Sequence, residues 1–493
     1  MVFLYIALPL AVAAVLPLAG RWSKRLLPDI LVNAVMLVLL VYSLTAARQA
    51  VVSGQGAGPL RWLGEPIAIR LALDGFSLFM LCTIALIGFC VTLFSIDYME
   101  HYGAKANFYA LLLLMFAGMN GLVLTTDLFG IYLFLEVAAV ASYGLVAFGL
   151  GHDELEASLK YLMLSAVASS FVILGVAILF GLTGSLAMAE VAGKLQVIRN
   201  PVAVGFCSAL FLMGFGLKAA VVPFHAWLPD AHPSAPAPIS AVLSGLLIKV
   251  SGVYAMARIF LNVFGLSPAV STVLMVLGTV SMVAGALIAL GQNDIKRMLA
   301  YSSISQIGYV LLGIGLGTPL GILGGLFHLL NHAVFKALLF LNSGSIERST
   351  GTRALDRMGG LAKRMPITAA TSATASLAIA GIPPLNGFWS KLIIVVALVQ
   401  AKRHAFALIA VLSSVLTLWY YLIIQRRAFF GQLNEAWKDV REAPAWMSVS
   451  TVILGLLCIG LGLLFPLVIQ QWLEPAARVL ASGVGAIQNL LAP

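Results

Sequence analysis

Lys218, Lys249, Lys336 and Lys391 each lie inside a long apolar run, and so does Glu136 in "GIYLFLEVAAVASY". Holding a charged side chain at the centre of a bilayer costs about 2.5–3.5 kcal/mol on insertion scales. Residues that bear this cost usually face a protein interior or a water-filled cavity, pair with another group and mark an ion pathway. The bland alternatives are a side chain that snorkels to the headgroups, or a structural ion pair. Glu136 and Lys249 begin too deep in their runs for easy snorkelling.

Proline sets two of these lysines apart. In "GLKAAVVPFHAWLPDAHPSAPAPIS", Pro223 and His225 follow Lys218 by one and two turns; in "GIPPLNGFWSKLIIV", Pro383 and Pro384 come shortly before Lys391. Proline removes a helical hydrogen bond, and the freed carbonyls survive at membrane depth only where protein or water satisfies them. Two interrupted helices in different halves of a chain point to an inverted-repeat transporter with sites near the midplane.

His328, His332 and Lys336 recur every four residues in "FHLLNHAVFKALLF", which on a helix makes one ridge about 12 Å long. Three readings stand side by side. A metal pair would need further ligands, and no Asp or Glu lies close in sequence. A packing histidine is the bland reading. A proton relay is favoured, because imidazole exchanges protons near neutral pH. If Glu136 approaches Lys218, that lysine holds its proton while paired and releases it on separation. Lys218, Lys249, the His328–His332–Lys336 ridge and Lys391 would then form a row of protonatable stations joined by water.

The elements that must position these groups follow from composition. The chain has 493 residues, 61% hydrophobic and 10% charged, with mean hydropathy +1.03; soluble domains carry about 25% charged residues. It is therefore expected to be an all-α polytopic membrane protein. Helix-spanning runs lie near 2–20, 29–46, 71–95, 107–124, 127–150, 158–183, 200–222, 236–258, 269–290, 298–316, 320–344, 367–400, 404–425 and 447–468, about fourteen in all. The segment 469–493 reads as a short interfacial helix. The first run lacks a basic flank before it, with Arg21, Lys24 and Arg25 after it, and reads as a transmembrane helix rather than a signal peptide.

Connections after odd-numbered spans hold sixteen Lys and Arg and those after even-numbered spans eight, which places odd connections in the cytoplasm and both termini outside the cell membrane. This count takes Lys160 and Arg258, at the ends of their runs, with the adjoining connections, and every other cation then lies in a connection or the tail. Among acids Glu136 alone looks deep, and Asp74 reads as interfacial. Cys82, Cys90, Cys207 and Cys458 lie in apolar runs without CxxC spacing, and no Walker or dinucleotide fingerprint is present. No cofactor, metal or redox centre is expected in this chain. The net charge of +10 suits topology-setting loops against anionic lipid, not nucleic acid.

With these residues in view, the chain resembles the antiporter-like proton-translocating subunits shared by respiratory complex I (NADH:quinone oxidoreductase), Mrp-type Na+/H+ antiporters and membrane-bound energy-converting hydrogenases. The resemblance rests on "DLFGIYLFLEVAAVASY", "LKAAVVPFHAWLPDAHPSAPAPISAVLSGLLIK", "NDIKRMLAYSSISQIGYVLLG", "LNHAVFKALLFLNSGSI" and "GIPPLNGFWSK". It implies two inverted five-helix repeats with broken seventh and twelfth helices. The corresponding segments are 1–106 with three helices, 107–260 and 269–425 as the repeats, and 426–493 with the last span and the tail.

By motif, Glu136 matches the family's fifth-helix glutamate, Lys218 its seventh-helix lysine, Lys249 its eighth-helix lysine and Lys391 its twelfth-helix residue, where some members carry glutamate. Lys160 in "ELEASLKYLML" also matches a family position, at an interfacial depth. The resemblance implies a proton-translocating subunit that relies on other membrane subunits for its energy. A subunit of a Na+/H+ antiporter is the alternative, and a quinone-binding redox subunit a more distant one.

Overall fold

A computed structural model describes residues 2–53, 57–62, 69–198 and 200–486. Among the described residues thirteen helices are long and apolar enough to cross a membrane, and two shorter apolar helices, Pro366–Ala380 and Asn386–Gln400, form one further interrupted span. The fourteen spans run Leu4–Trp22, Leu26–Arg48, Gly75–His101, Lys105–Leu124, Leu128–Val146, His152–Thr183, Pro201–Lys218, Ala237–Val263, Pro268–Leu290, Ile295–Gly315, Pro319–Thr350, Pro366–Gln400 with its break, His404–Phe429 and Ala445–Leu463. They begin where capping chemistry allows. Asp74, Asp127, Ser267, Asp294 and Thr318 each accept backbone N–H bonds from the first turn of the helix that follows. Proline opens the seventh, ninth, eleventh and twelfth at the position where its missing donor costs nothing.

Burial grades inward. The eighth span is wholly buried and the tenth and eleventh nearly so, whereas the first and second are only 28% buried and turn apolar side chains outward. Small residues set the closest contact. Gly278 and Gly285 of the ninth span lie against Gly308 and Ser305 of the tenth, and a Cβ on Gly278 would stand 2.8 Å from the Gly308 carbonyl oxygen.

The inverted repeat is visible in hydrogen bonds. The sixth and eleventh spans, His152–Thr183 and Pro319–Thr350, are each 32 residues long and end in a left-handed glycine, Gly184 and Gly351. After the sixth, Thr183 bonds the Leu179 carbonyl and receives the Ser185 amide, and Ser185 receives the Ala187 amide. After the eleventh, Thr350, Ile346, Thr352 and Ala354 repeat each of those bonds. Ala187 then pairs with Asp127 and Ala354 with Asp294, in antiparallel bridges at the starts of the fifth and tenth spans. The fifth span starts after four crossings and the tenth after nine, so the two clamps lie on opposite membrane faces.

Both breaks also share one backbone design. At the seventh, Ala220 and Val221 donate to the Leu217 and Gly216 carbonyls; at the twelfth, Gly381 and Ile382 donate to Ala378 and Leu377. This is the Schellman termination, with the left-handed residue at Ala220 (φ 54°) and Gly381 (φ 87°).

Several details differ from the sequence expectation. The second connection holds a two-stranded hairpin, Ala57–Trp62 with Ile69–Leu73. The eighth span is wound as a π-helix over Leu243–Tyr254. The tail forms helix to Ala481, where Asn262 of the eighth span donates to the Val479 and Gly483 carbonyls; residues 487–493 lie outside the described ones. Asp74 caps the start of the third span. It is buried and takes a two-pronged bond from Arg258, at 2.7 and 2.9 Å. Lys105 and Lys296, assigned to connections, are also buried and paired, with Asp29 and Glu347. All three cations sit at the ends of apolar runs, where hydropathy alone does not decide depth.

Candidate functional site

The side chains singled out by type and spacing fall into two clusters. The first joins the fifth, sixth and seventh spans. Lys218 ends the first half of the seventh span, and its backbone neighbour Leu217 gives its carbonyl to the Trp227 indole at 3.0 Å. The Lys218 amine donates to Ser165 Oγ at 2.5 Å and stands 3.8 Å from the Glu136 carboxylate. Glu136 in turn accepts from Ser169, and Tyr143 donates to Ser165 at 2.6 Å. Lys218 is buried, while Glu136 is 29% exposed at the flank of the chain. The ion pair anticipated from sequence is thus present in loosened form, with two serines of the sixth span occupying the direct bonds.

The second cluster joins the eighth, tenth, eleventh, twelfth and thirteenth spans. Lys249 is fully buried, donates to the Ser244 carbonyl, and has no carboxylate partner among the described residues. Ser244 continues to Ser303 at 2.7 Å. The His328–His332–Lys336 ridge is entirely buried, with the two imidazoles parallel and 6.3 Å apart. His328 bonds Ser390 at 2.9 Å and Gln306 at 3.1 Å, whereas neither nitrogen of His332 has a partner among the described residues. Lys336 reaches the Leu299 carbonyl at 2.7 Å and the Tyr421 hydroxyl at 3.2 Å, and Tyr421 continues to Ser302.

Lys391 follows its break, whereas Lys218 precedes its own. Its amine turns back to the carbonyls of Ile379 at 2.8 Å and Ala380 at 3.4 Å, and to Ser414 at 3.1 Å. It lies 4.7 Å from the centre of the Tyr309 ring, which is 5.4 Å from His328. Lys391 therefore satisfies the helix end that the break leaves open, and it is joined to the histidine ridge through Ser390 and Tyr309.

Among the described residues no hydrogen bond or ion pair links the Lys218 cluster to Lys249. His225 lies in the seventh-span break, with Nδ1 buried and unpartnered among the described residues. Lys160 stands apart from both clusters. It is half exposed and pairs with Glu156 at 2.8 Å and Asp230 at 3.4 Å.

Sequence reasoning missed several participants. His232, in "PDAHPSAP", is fully buried, stacks on Phe340 at 4.5 Å and has both ring nitrogens unpartnered among the described residues. Lys336 lies over the same Phe340 ring, 5.7 Å from its centre. Lys296 sits nearer the surface, donating to Glu347 at 2.8 Å and the Ala235 carbonyl at 3.1 Å. Ser165 and Ser169 were also passed over. Their spacing of four from Tyr161 was a usable signal, since it repeats the spacing of the histidine ridge.

Comparison with known proteins places this arrangement. Residues 125–417 match the family described as "NADH:quinone oxidoreductase/Mrp antiporter, TM", and residues 63–109 match "NADH-Ubiquinone oxidoreductase (complex I), chain 5 N-terminus". The chain is 33% identical to NADH-quinone oxidoreductase subunit N of Desulforudis audaxviator, over 96% of this chain and 97% of that one. It is 34% identical to a Na(+)/H(+) antiporter subunit of Alkalihalophilus pseudofirmus, over 84% of each. Its fold matches a chain of the Mrp complex from Dietzia sp. DQ12-45-1b with a TM-score of 0.91 at 29% identity, covering 100% of this chain and 99% of that one.

Proposed function

Starting from the premise that this chain belongs to the NADH:quinone oxidoreductase/Mrp antiporter membrane family, we propose that it conducts protons through its own interior along Glu136, Lys218, Lys249, His328, His332, Lys336 and Lys391. It is an antiporter-like, multi-pass membrane subunit that works among other membrane subunits. The observation that carries the proton reading is the pair of buried clusters, in which amines and imidazoles face hydroxyls, carbonyls and one another inside the protein.

Buried ammonium groups without carboxylate partners are costly to keep charged, so they exchange protons with any hydrated neighbour. His232, which shares the Phe340 ring with Lys336, and Lys296 extend the second cluster toward the membrane face that holds Asp294 and Glu347, and supply its entry from that side. His225 lines the seventh-span break. Water completes the gaps that side chains leave, above all the one between Lys218 and Lys249. The positive-inside count supports a cytoplasmic location for that charged face and external termini in a cell membrane. Energy arrives from partner subunits, either a redox module or a counter-ion gradient; moving one charge across 100 mV takes about 2.3 kcal/mol.

A second reading, sodium–proton exchange, is supported by the likeness to the Na(+)/H(+) antiporter protein of Alkalihalophilus pseudofirmus. Sodium wants several oxygen ligands, and the clusters offer amines and imidazoles around a single carboxylate, which favours protons here. The deciding experiment measures proton movement by membranes holding the assembled complex. Lys218→Ala and Glu136→Ala should each abolish it while the subunit stays in the complex; full transport by an assembled Lys218→Ala variant defeats the reading.

A further inference from the structure

The sixth and eleventh spans have equal length, and their C-terminal clamps coincide residue for residue. Counting back from Thr183 and Thr350 pairs Tyr161 with His328, Ser165 with His332 and Ser169 with Lys336. One helix face therefore bears two different inventories. In the second half it is protonatable throughout. In the first half it holds only hydroxyls, and the charged groups reach it from neighbouring spans: Lys218 onto Ser165, Glu136 onto Ser169.

The consequence for the ion pair is geometric. Lys218 and Glu136 stand 3.8 Å apart, beyond hydrogen-bond distance, although nothing bulky separates a lysine amine from a carboxylate that close. What holds them apart is a pair of competing bonds. Ser165 Oγ takes the amine at 2.5 Å, and is itself fixed by the Tyr143 hydroxyl at 2.6 Å. Ser169 shares its one hydroxyl proton between the Glu136 carboxylate and the Ser165 carbonyl, the latter 3.0 Å away. Ser165, Ser169 and Tyr143 are thereby one connected unit, buried against Lys218.

We propose that Ser165, held by Tyr143, is a positioning residue that supplies Lys218 with an alternative acceptor and so lets the Lys218–Glu136 pair open. The inference rests on the proton-conducting reading given above. The hydroxyl takes up no proton; it accepts a hydrogen bond from the amine while the proton stays on Nζ. Without it, the only strong acceptor among the described neighbours of Lys218 is Glu136, and the pair closes into a direct salt bridge.

The test uses membranes containing the whole complex. Ser165→Cys keeps the volume but is a poor acceptor, and it should slow proton movement about tenfold, the scale of one hydrogen bond to a charged group. Ser165→Thr keeps the hydroxyl and should retain most of the rate. Tyr143→Phe should slow transport in the same direction and add little to Ser165→Cys in the double variant, because both act through one bond. Subunit content is measured by co-purification in every variant.

Wild-type transport by assembled Ser165→Cys, or equal loss in the Cys and Thr variants, overturns the proposal. Lys218→Ala is run alongside. If it is inactive while Ser165→Cys is normal, this inference alone falls. If Lys218→Ala transports fully, the proton-conducting reading falls and takes this one with it.

Discussion

Lys391 illustrates why a buried amine does not by itself announce its task. Its bonds to the Ile379 and Ala380 carbonyls are what a cation at an open helix end provides in any protein. The same amine also touches Ser414 and lies over Tyr309, on the way to His328. Lys391→Met keeps most of the side-chain volume and leaves those carbonyls short of a donor. It should lower the unfolding free energy by about 1–3 kcal/mol, read as a drop in Tm of the detergent-purified chain, and stop proton movement as well. A variant that loses stability but conducts normally would leave Lys391 a purely structural cap. The four intramembrane lysines and Glu136 were legible in sequence because apolar context makes a charge conspicuous. Lys105, Arg258 and Lys296 were not, since each lies at a run's end. His232 was hidden in a proline-rich stretch that reads as a surface turn, and folds inward because the second half of the seventh span, Leu228–Ser234, lies within the bundle.

At the scale of elements, the two breaks make opposite predictions about one substitution. Gly381 is left-handed as such terminations usually are, but its counterpart Ala220 bears a Cβ at φ 54°, a conformation that costs an L-residue about 1–2 kcal/mol. Ala220→Gly should therefore leave assembly intact and raise the Tm slightly. Gly381→Ala should lower it, and more than the backbone term alone, because the added Cβ would stand 3.2 Å from Lys391 Cδ. Equal effects of the two exchanges would contradict the shared Schellman geometry. Proline spacing made both interruptions readable in the sequence. The π-helical winding of the eighth span was not readable, because its five-residue hydrogen bonding follows from packing on every side and leaves no hydropathy signature.

For the molecule as a whole, Arg258 and Asp74 fasten the third span to the eighth in a fully enclosed pair, with the guanidinium also over the Phe76 and Tyr254 rings at 5.1 and 5.3 Å. Asp74→Asn strands that cation in the interior and should cost about 3–5 kcal/mol, seen as a lower Tm and less chain recovered in the complex. A joint replacement of both by apolar residues should recover much of the loss. The paired clamps Asp127–Ala187 and Asp294–Ala354 lead further. Each clamp lies within one half of the polypeptide, so severing the short link at 264–267 breaks neither, and the two halves also grip one another, Ser281 receiving the Val222 amide and Arg297 pairing with Asp230. Two separately synthesised fragments, divided there, should find one another in the lipid and rebuild a working whole.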